Sequence, residues 1–149
     1  HYLKNKKAPL IVTGDGGFQM VSQTYSTMVK LGVPALIIVM NNSVLGIEEY
    51  LLDPKSKRNE PLNYAKVSPW NYEAFPQIYN ADQSFGVKCT STESLAKTLA
   101  DWAAYLNNGT DAKQPWIVNC VVDTMSIPKR IKQSNTEKSK SLISTYTLR

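Results

Sequence analysis

Histidine and cysteine are scarce in this chain, which holds one histidine, His1, and two cysteines, Cys89 and Cys120, among 149 residues. The cysteines stand in separate apolar, strand-like runs. They are too few and too deep in apolar sequence for a disulfide framework or a metal knuckle. Reduced core thiols in a cytoplasmic protein are the expectation. No apolar run approaches the roughly 18 residues of a membrane span, and no secretory leader is visible, so no membrane segment is expected. The glycosylation-like triplets Asn41-Asn42-Ser43 and Asn108-Gly109-Thr110 are then chance matches. An initiator methionine is missing and no internal repeat is present. Acidic residues are outnumbered, giving a formal net charge of +5. The excess sits in Lys4-Asn5-Lys6-Lys7, Lys55 to Arg58 and Lys129 to Lys140, all outside the apolar runs. Such clusters read as solvated loops and tails, and without a recognition motif they give no reason to expect nucleic acid as a partner.

What the chain does have is an alternation of short aliphatic runs with stretches of helical spacing. Pro9 to Thr13 and Ala35 to Met40 are continuous apolar runs, the pattern of parallel strands buried on both faces. Between them Phe18, Val21, Tyr25, Met28 and Val29 recur at helical steps, until Gly32 and Pro34 end the helix. This β-α-β order implies a right-handed crossover. A short helix is expected at Ile47 to Leu52, a charged loop from Lys55 to Pro61, and a helix entry at Ser68 to Phe75 that Pro76 to Asn80 continues. Gly86 to Cys89 reads as a third strand. Thr90-Ser91-Thr92-Glu93 reads as a capping box ahead of a helix with Leu95, Leu99, Trp102 and Leu106 on its inner face, closed by Asn107-Asn108-Gly109. Trp116 to Val122 is the last strand. The fold class is α/β, a doubly wound, Rossmann-like, mostly parallel sheet flanked by helices. Residues 1–128 form one domain and 129–149 a polar basic tail. A doubly wound sheet ordinarily has strands ahead of the first one here, so the domain reads as N-terminally incomplete and the chain as a piece of a longer one.

The stretch from Gly14 to Asn42 organises the rest. Gly14-Asp15-Gly16-Gly17 follows one strand and Asn41-Asn42 the next. Neighbouring carboxyl ends of parallel strands are where such sheets bind ligands. A carboxylate and a carboxamide there offer the hard oxygen atoms that Mg²⁺ or Ca²⁺ prefers. The glycines offer bare N–H groups at a helix start, a cradle for phosphate.

Gly14-Asp15-Gly16 followed by Asn41-Asn42 resembles the cofactor signature of thiamine diphosphate enzymes. The resemblance covers roughly residues 9–128. It implies Mg²⁺ held by Asp15, the Asn42 side-chain oxygen and the Val44 carbonyl, with Gly14, Gly16 and Gly17 at the diphosphate. Ile47-Glu48 is similar to the pair found in pyruvate and indolepyruvate decarboxylases, which implies proton transfer by Glu48 and a substrate pocket lined by Ile47. A partly desolvated carboxyl at Glu48 would have a raised pKa. Ser68-Pro69-Trp70-Asn71-Tyr72 also resembles that branch. Three features depart from it: Val44 stands where many decarboxylases have Gly, Thr24 follows Gln23 where relatives have Glu, and Leu45-Gly46 is closer to the acetolactate synthase branch. The implied activity is conversion of a 2-oxo acid to an aldehyde and CO₂. An acetolactate synthase-like carboligase and a non-catalytic module keeping the fold are the alternatives. The Glu that activates the cofactor and the active-site His residues of these enzymes belong to upstream domains and a partner subunit, and His1 is no substitute. The resemblance therefore implies a homodimer or homotetramer, and a piece that is inactive alone.

Overall fold

The structure, a computed structural model, describes residues 7–48, 60–108 and 113–124. Four strands form one parallel sheet: β1 (Leu10–Gly14), β2 (Leu36–Asn41), β3 (Gly86–Cys89) and β4 (Trp116–Val121), in the order β1-β2-β4-β3. The register pairs Leu10 with Leu36 through Gly14 with Met40, and Leu36 with Trp116 through Asn41 with Val121. The long aliphatic run of β2 is thus central, and Leu36 to Val39 are all buried, as a strand covered on both faces requires.

Helices α1 (Asp15–Val21) and α2 (Thr24–Lys30) link β1 to β2. Short 3₁₀ turns at Asn63–Ala65 and Tyr72–Ala74, the latter running into α3 (Phe75–Ile78), precede β3, and α4 (Thr92–Asn107) lies between β3 and β4. One face of the sheet buries Ile37, Val39 and Ile117 beneath Phe18, Tyr25, Tyr72 and Phe75. Those rings meet edge to face, with Phe18 and Phe75 centroids 5.1 Å apart and Tyr25 and Phe75 5.6 Å apart, the arrangement aromatic quadrupoles favour. The other face buries Leu36, Ile38, Cys89 and Val118, with Leu95 and Trp102 of α4 against them.

Several local expectations are corrected. The stretch between β1 and β2 is two helices, not one. The Thr24 hydroxyl donates to the Val21 carbonyl at 2.8 Å, taking an acceptor that a continuous helix would use. The resulting turn brings Tyr25 to the core and leaves Val21 50% exposed. The capping box is one residue later than expected. The Ser91 hydroxyl accepts from the Ser94 N–H and the Ser94 hydroxyl accepts from the Ser91 N–H, each at 3.2 Å. Glu93 instead bonds the Thr92 hydroxyl, and hydrogen bonds from its own backbone N–H, Ser91 and Thr92 hold its carboxyl below the usual range. On α4 Leu95 and Trp102 pack against the sheet as expected, but the buried residue is Thr98 and Leu99 is exposed; Thr98 donates its hydroxyl to the Ser94 carbonyl at 2.9 Å, which makes its burial tolerable. Pro69 lies outside any helix, and Pro76 takes the early position in α3. Among the described residues β1 pairs with β2 alone, and its Leu10 and Val12 are exposed rather than buried. Cys89 is buried, Cys120 half-buried, and both are free thiols. Residues 49–52 of the helix expected at Ile47 to Leu52, most of the charged loop, Gly109 and the tail 129–149 lie outside the described residues.

Candidate cofactor- and metal-binding site

The carboxyl ends of β1 and β2 meet at Asp15. The extended Gly14 precedes α1, and Asp15 is the first helical residue, so Gly16 and Gly17 lie within the first turn rather than ahead of it. Asp15 is 2% exposed. One carboxylate oxygen accepts from the Gly16 N–H at 2.8 Å and the other from the Ser43 N–H at 2.7 Å, in the loop that follows β2. The acid and the Asn41-Asn42 loop are therefore in direct contact. Among the described residues Asp15 has no cationic partner. A carboxylate that accepts only from two neutral donors still has lone pairs free for a cation, and burying a charge without compensation is costly.

The loop itself is held in an uncommon shape. Ser43 has φ 59°, the left-handed region that a residue with a Cβ seldom adopts. That turn lets the Asn42 side-chain oxygen accept from the Val44 N–H at 3.3 Å. On the other side the Ser43 carbonyl accepts from the Val67 N–H at 3.0 Å and the Leu45 N–H donates to the Ala65 carbonyl at 2.7 Å, making an isolated antiparallel bridge between Val44 and Lys66. In this pattern Val44's own N–H and C=O lie on the edge away from Lys66, the edge where its N–H meets Asn42. The carboxylate of Asp15, the carboxamide oxygen of Asn42 and the carbonyl of Val44 are hard oxygens, the kind of donor a small divalent cation takes. A set of three His, Cys, Asp or Glu side chains is not found among the described residues.

The glycines differ in what they allow. A Cβ on Gly16 would lie 2.5 Å from the Leu45 side chain, so the loop after β2 sits directly on the start of α1. A Cβ on Gly14 would meet nothing within 4 Å; the chain's own packing does not require glycine there. Ile47 is 53% exposed and Glu48 is exposed as well, the Glu48 N–H donating to the Leu45 carbonyl at 3.1 Å. The desolvated, apolar setting expected around the Glu48 carboxyl is not supplied by the described residues.

Three polar residues, Gln19, Glu73 and Asn119, are not singled out by the sequence. The Gln19 amide donates to the Ser68 carbonyl at 2.6 Å and to the Tyr72 hydroxyl at 2.9 Å. It thereby ties α1 to the turn before β3. Burial, opposed by the Gln19 bond and aided by the Asp15 charge, pushes the Tyr72 hydroxyl pKa up. Asn119, 3% exposed, accepts from the Asn41 amide at 3.0 Å and donates to a Glu73 carboxylate oxygen at 2.7 Å. A polar residue interrupting the apolar run of β4 was the available signal for Asn119. Glu73 gives no such sign in sequence.

Residues 2–120 match the family model described as the thiamine pyrophosphate enzyme, C-terminal TPP-binding domain. The chain belongs to this family. Among curated proteins it is 30% identical over 130 residues to a pyruvate decarboxylase of Aspergillus parasiticus, covering 86% of this chain and 21% of that protein. A pyruvate decarboxylase of Neurospora crassa is 25% identical over 123 residues, covering 82% of this chain and 19% of the relative. A thiamine metabolism regulatory protein of Saccharomyces cerevisiae is 31% identical over 96 residues, 64% of this chain and 15% of the relative. The chain thus spans about a fifth or less of the length of these relatives. Among the described residues no helix is long and apolar enough to cross a membrane. The parallel sheet with helices on both faces is the α/β fold expected of this thiamine pyrophosphate-binding family.

Proposed function

We propose that this chain forms the diphosphate- and Mg²⁺-binding part of a thiamine diphosphate-dependent enzyme that decarboxylates a 2-oxo acid of the pyruvate, phenylpyruvate or indolepyruvate type. One observation carries the reading: a buried carboxylate, Asp15, with no cationic partner among the described residues, joined to the Asn42–Val44 loop through the Ser43 N–H. A divalent cation at this point would neutralise Asp15 and take oxygen atoms from Asn42 and Val44. The open space beside Gly14 and the backbone of Gly16 and Gly17 would face the diphosphate. When bound, thiamine diphosphate supplies the electron sink for loss of CO₂. The chain's part is to hold and orient it. Glu48, at the first turn after the loop, would donate or accept a proton at the substrate carboxylate, and Ile47 beside it would line the pocket. Both are exposed here, so closure over them is assigned to upstream domains and a partner subunit of a homodimer or homotetramer, as is the acid that activates the cofactor. A cytoplasmic location goes with this reading.

The test is an aldehyde assay of the full-length protein with thiamine diphosphate, Mg²⁺ and each of the three 2-oxo acids. Aldehyde release supports the decarboxylase; a condensed 2-hydroxy-3-oxo acid product would make it a carboligase of the acetolactate synthase type. Glu48→Gln is expected to slow turnover by two orders of magnitude or more while leaving cofactor affinity within about twofold, the range expected for loss of a general acid or base. Unchanged turnover would remove Glu48 from the mechanism. The similarity to a regulatory protein favours a second reading, a non-catalytic module that binds the cofactor without turning over; cofactor binding with no product from any substrate would select it.

A further inference from the structure

The hydrogen bonds behind the loop run in one direction only. Glu73 lies in the 3₁₀ turn ahead of β3, held against the sheet by the closest backbone approach involving any described glycine: a Cβ on Gly86 would fall 1.9 Å from the Glu73 carbonyl oxygen. Its carboxylate, when ionised, can only accept. It therefore requires Asn119 to present its amide N–H, as it does at 2.7 Å. Asn119 must then turn its oxygen towards Asn41, whose amide donates to it at 3.0 Å. The Asn41 oxygen is left facing the loop, where it accepts from the Ser43 hydroxyl at 3.3 Å. Ser43 is the left-handed residue between Asn42 and Val44, and its N–H is the one that holds Asp15.

We propose that Glu73 is a positioning residue for the metal site: acting through Asn119 and Asn41, it fixes which end of each carboxamide faces the loop and so holds Ser43, and with it Asn42 and Val44, in the cation-binding shape. This rests on the metal-site reading of Asp15, Asn42 and Val44. Two carboxamides in series have no orientation of their own, since each can flip end for end. A single acceptor-only group at the far end sets both. Residues that orient metal ligands commonly change metal affinity by about tenfold or more when removed.

The experiment measures Mg²⁺-dependent thiamine diphosphate binding to the full-length protein by titration calorimetry, alongside thermal unfolding without cofactor. Glu73→Gln can either accept or donate, so it should raise the half-saturating Mg²⁺ concentration by about three- to tenfold. Asn119→Asp keeps an acceptor for Asn41 but sets two carboxylates side by side, and should also weaken Mg²⁺ binding. Combining the two substitutions exchanges the amide and the acid: the carboxamide now on the 3₁₀ turn would donate to the carboxylate now on β4, which still accepts from Asn41. This double variant should recover Mg²⁺ affinity to within about twofold of the parent, an outcome that loss of packing would not give. Ser43→Ala, at an exposed position that cannot disturb the core, should weaken Mg²⁺ binding to a similar degree, and adding Glu73→Gln to it should cost little more. Unchanged Mg²⁺ dependence in Glu73→Gln and Ser43→Ala, with the parent binding normally, would overturn the positioning role alone. A parent protein that binds the cofactor without any need for Mg²⁺ would overturn the metal-site reading and the positioning role together.

Discussion

At the scale of single residues, Asp15 concentrates the consequences. Both of its oxygens accept from backbone N–H groups. Asp15→Asn would turn an amide N–H towards one of those donors, leaving two hydrogens facing each other. The expected outcome is a loss of about 1–3 kcal/mol in stability, as for an unsatisfied buried group, and loss of Mg²⁺-dependent cofactor binding. Urea unfolding reads the first and Mg²⁺ titration the second; a variant that binds as tightly as the parent would remove Asp15 from the site. Asp15 and Asn42 could be picked out in the sequence because each stands where an apolar run stops, a position that parallel sheets give to ligands. Ser43, Asn119 and Glu73 could not be joined in the same way. Their link depends on which residue of β4 faces which residue of β2, and that register is written in no single stretch of sequence.

At the scale of elements, the strands were legible and the helix details less so. β2 and β4 announce themselves because being covered on both faces demands uninterrupted apolar side chains, with Asn119 the one buried exception. Helix boundaries turn on which of several hydroxyls wins a given N–H. In the run Thr90-Ser91-Thr92-Glu93-Ser94 four hydroxyls compete to cap α4, and Ser91 and Ser94 do so as a reciprocal pair. Ser91→Ala should destabilise the domain by about 1 kcal/mol, read by thermal unfolding, while Thr90→Ala should leave it nearly unchanged. The junction of β3 with the preceding 3₁₀ turn is more demanding. Gly86→Ala would force a Cβ onto the Glu73 carbonyl, which the backbone must move to admit. The cost expected is about 2 kcal/mol or more, and since Glu73 moves with it, Mg²⁺ affinity should fall as well.

At the scale of the whole molecule, Tyr25 joins parts of the chain that are distant in sequence. Its hydroxyl donates to the Pro115 carbonyl at 3.1 Å and meets the Ser84 hydroxyl, so α2, the loop before β3 and the approach to β4 converge on one phenol. Burial, only partly offset by the Ser84 bond, pushes its pKa from 10.0 up to about 12. Folding therefore favours the protonated phenol. That contribution is complete below pH 10 and is lost as the pH rises towards 12, because the unfolded chain can release the proton first. Chemical denaturation at a series of alkaline pH values should show stability falling across this window, and Tyr25→Phe should flatten that fall. An equally steep decline in Tyr25→Phe would mean that another group titrates there. The sequence marks Tyr25 as a core residue by its helical spacing, but not as a junction, since the oxygen atoms it meets are brought to it only by the assembled sheet.

The edge position of β1 bears on how the polypeptide behaves in concentrated solution. Leu10 and Val12 stand 55% and 61% exposed on a strand that pairs with β2 alone. In a piece of a longer sheet such an apolar border is bare, and a bare strand invites strand-by-strand stacking of one molecule on the next. Val12→Lys should keep preparations of this 149-residue chain monodisperse in light scattering at concentrations where the parent sequence begins to cluster.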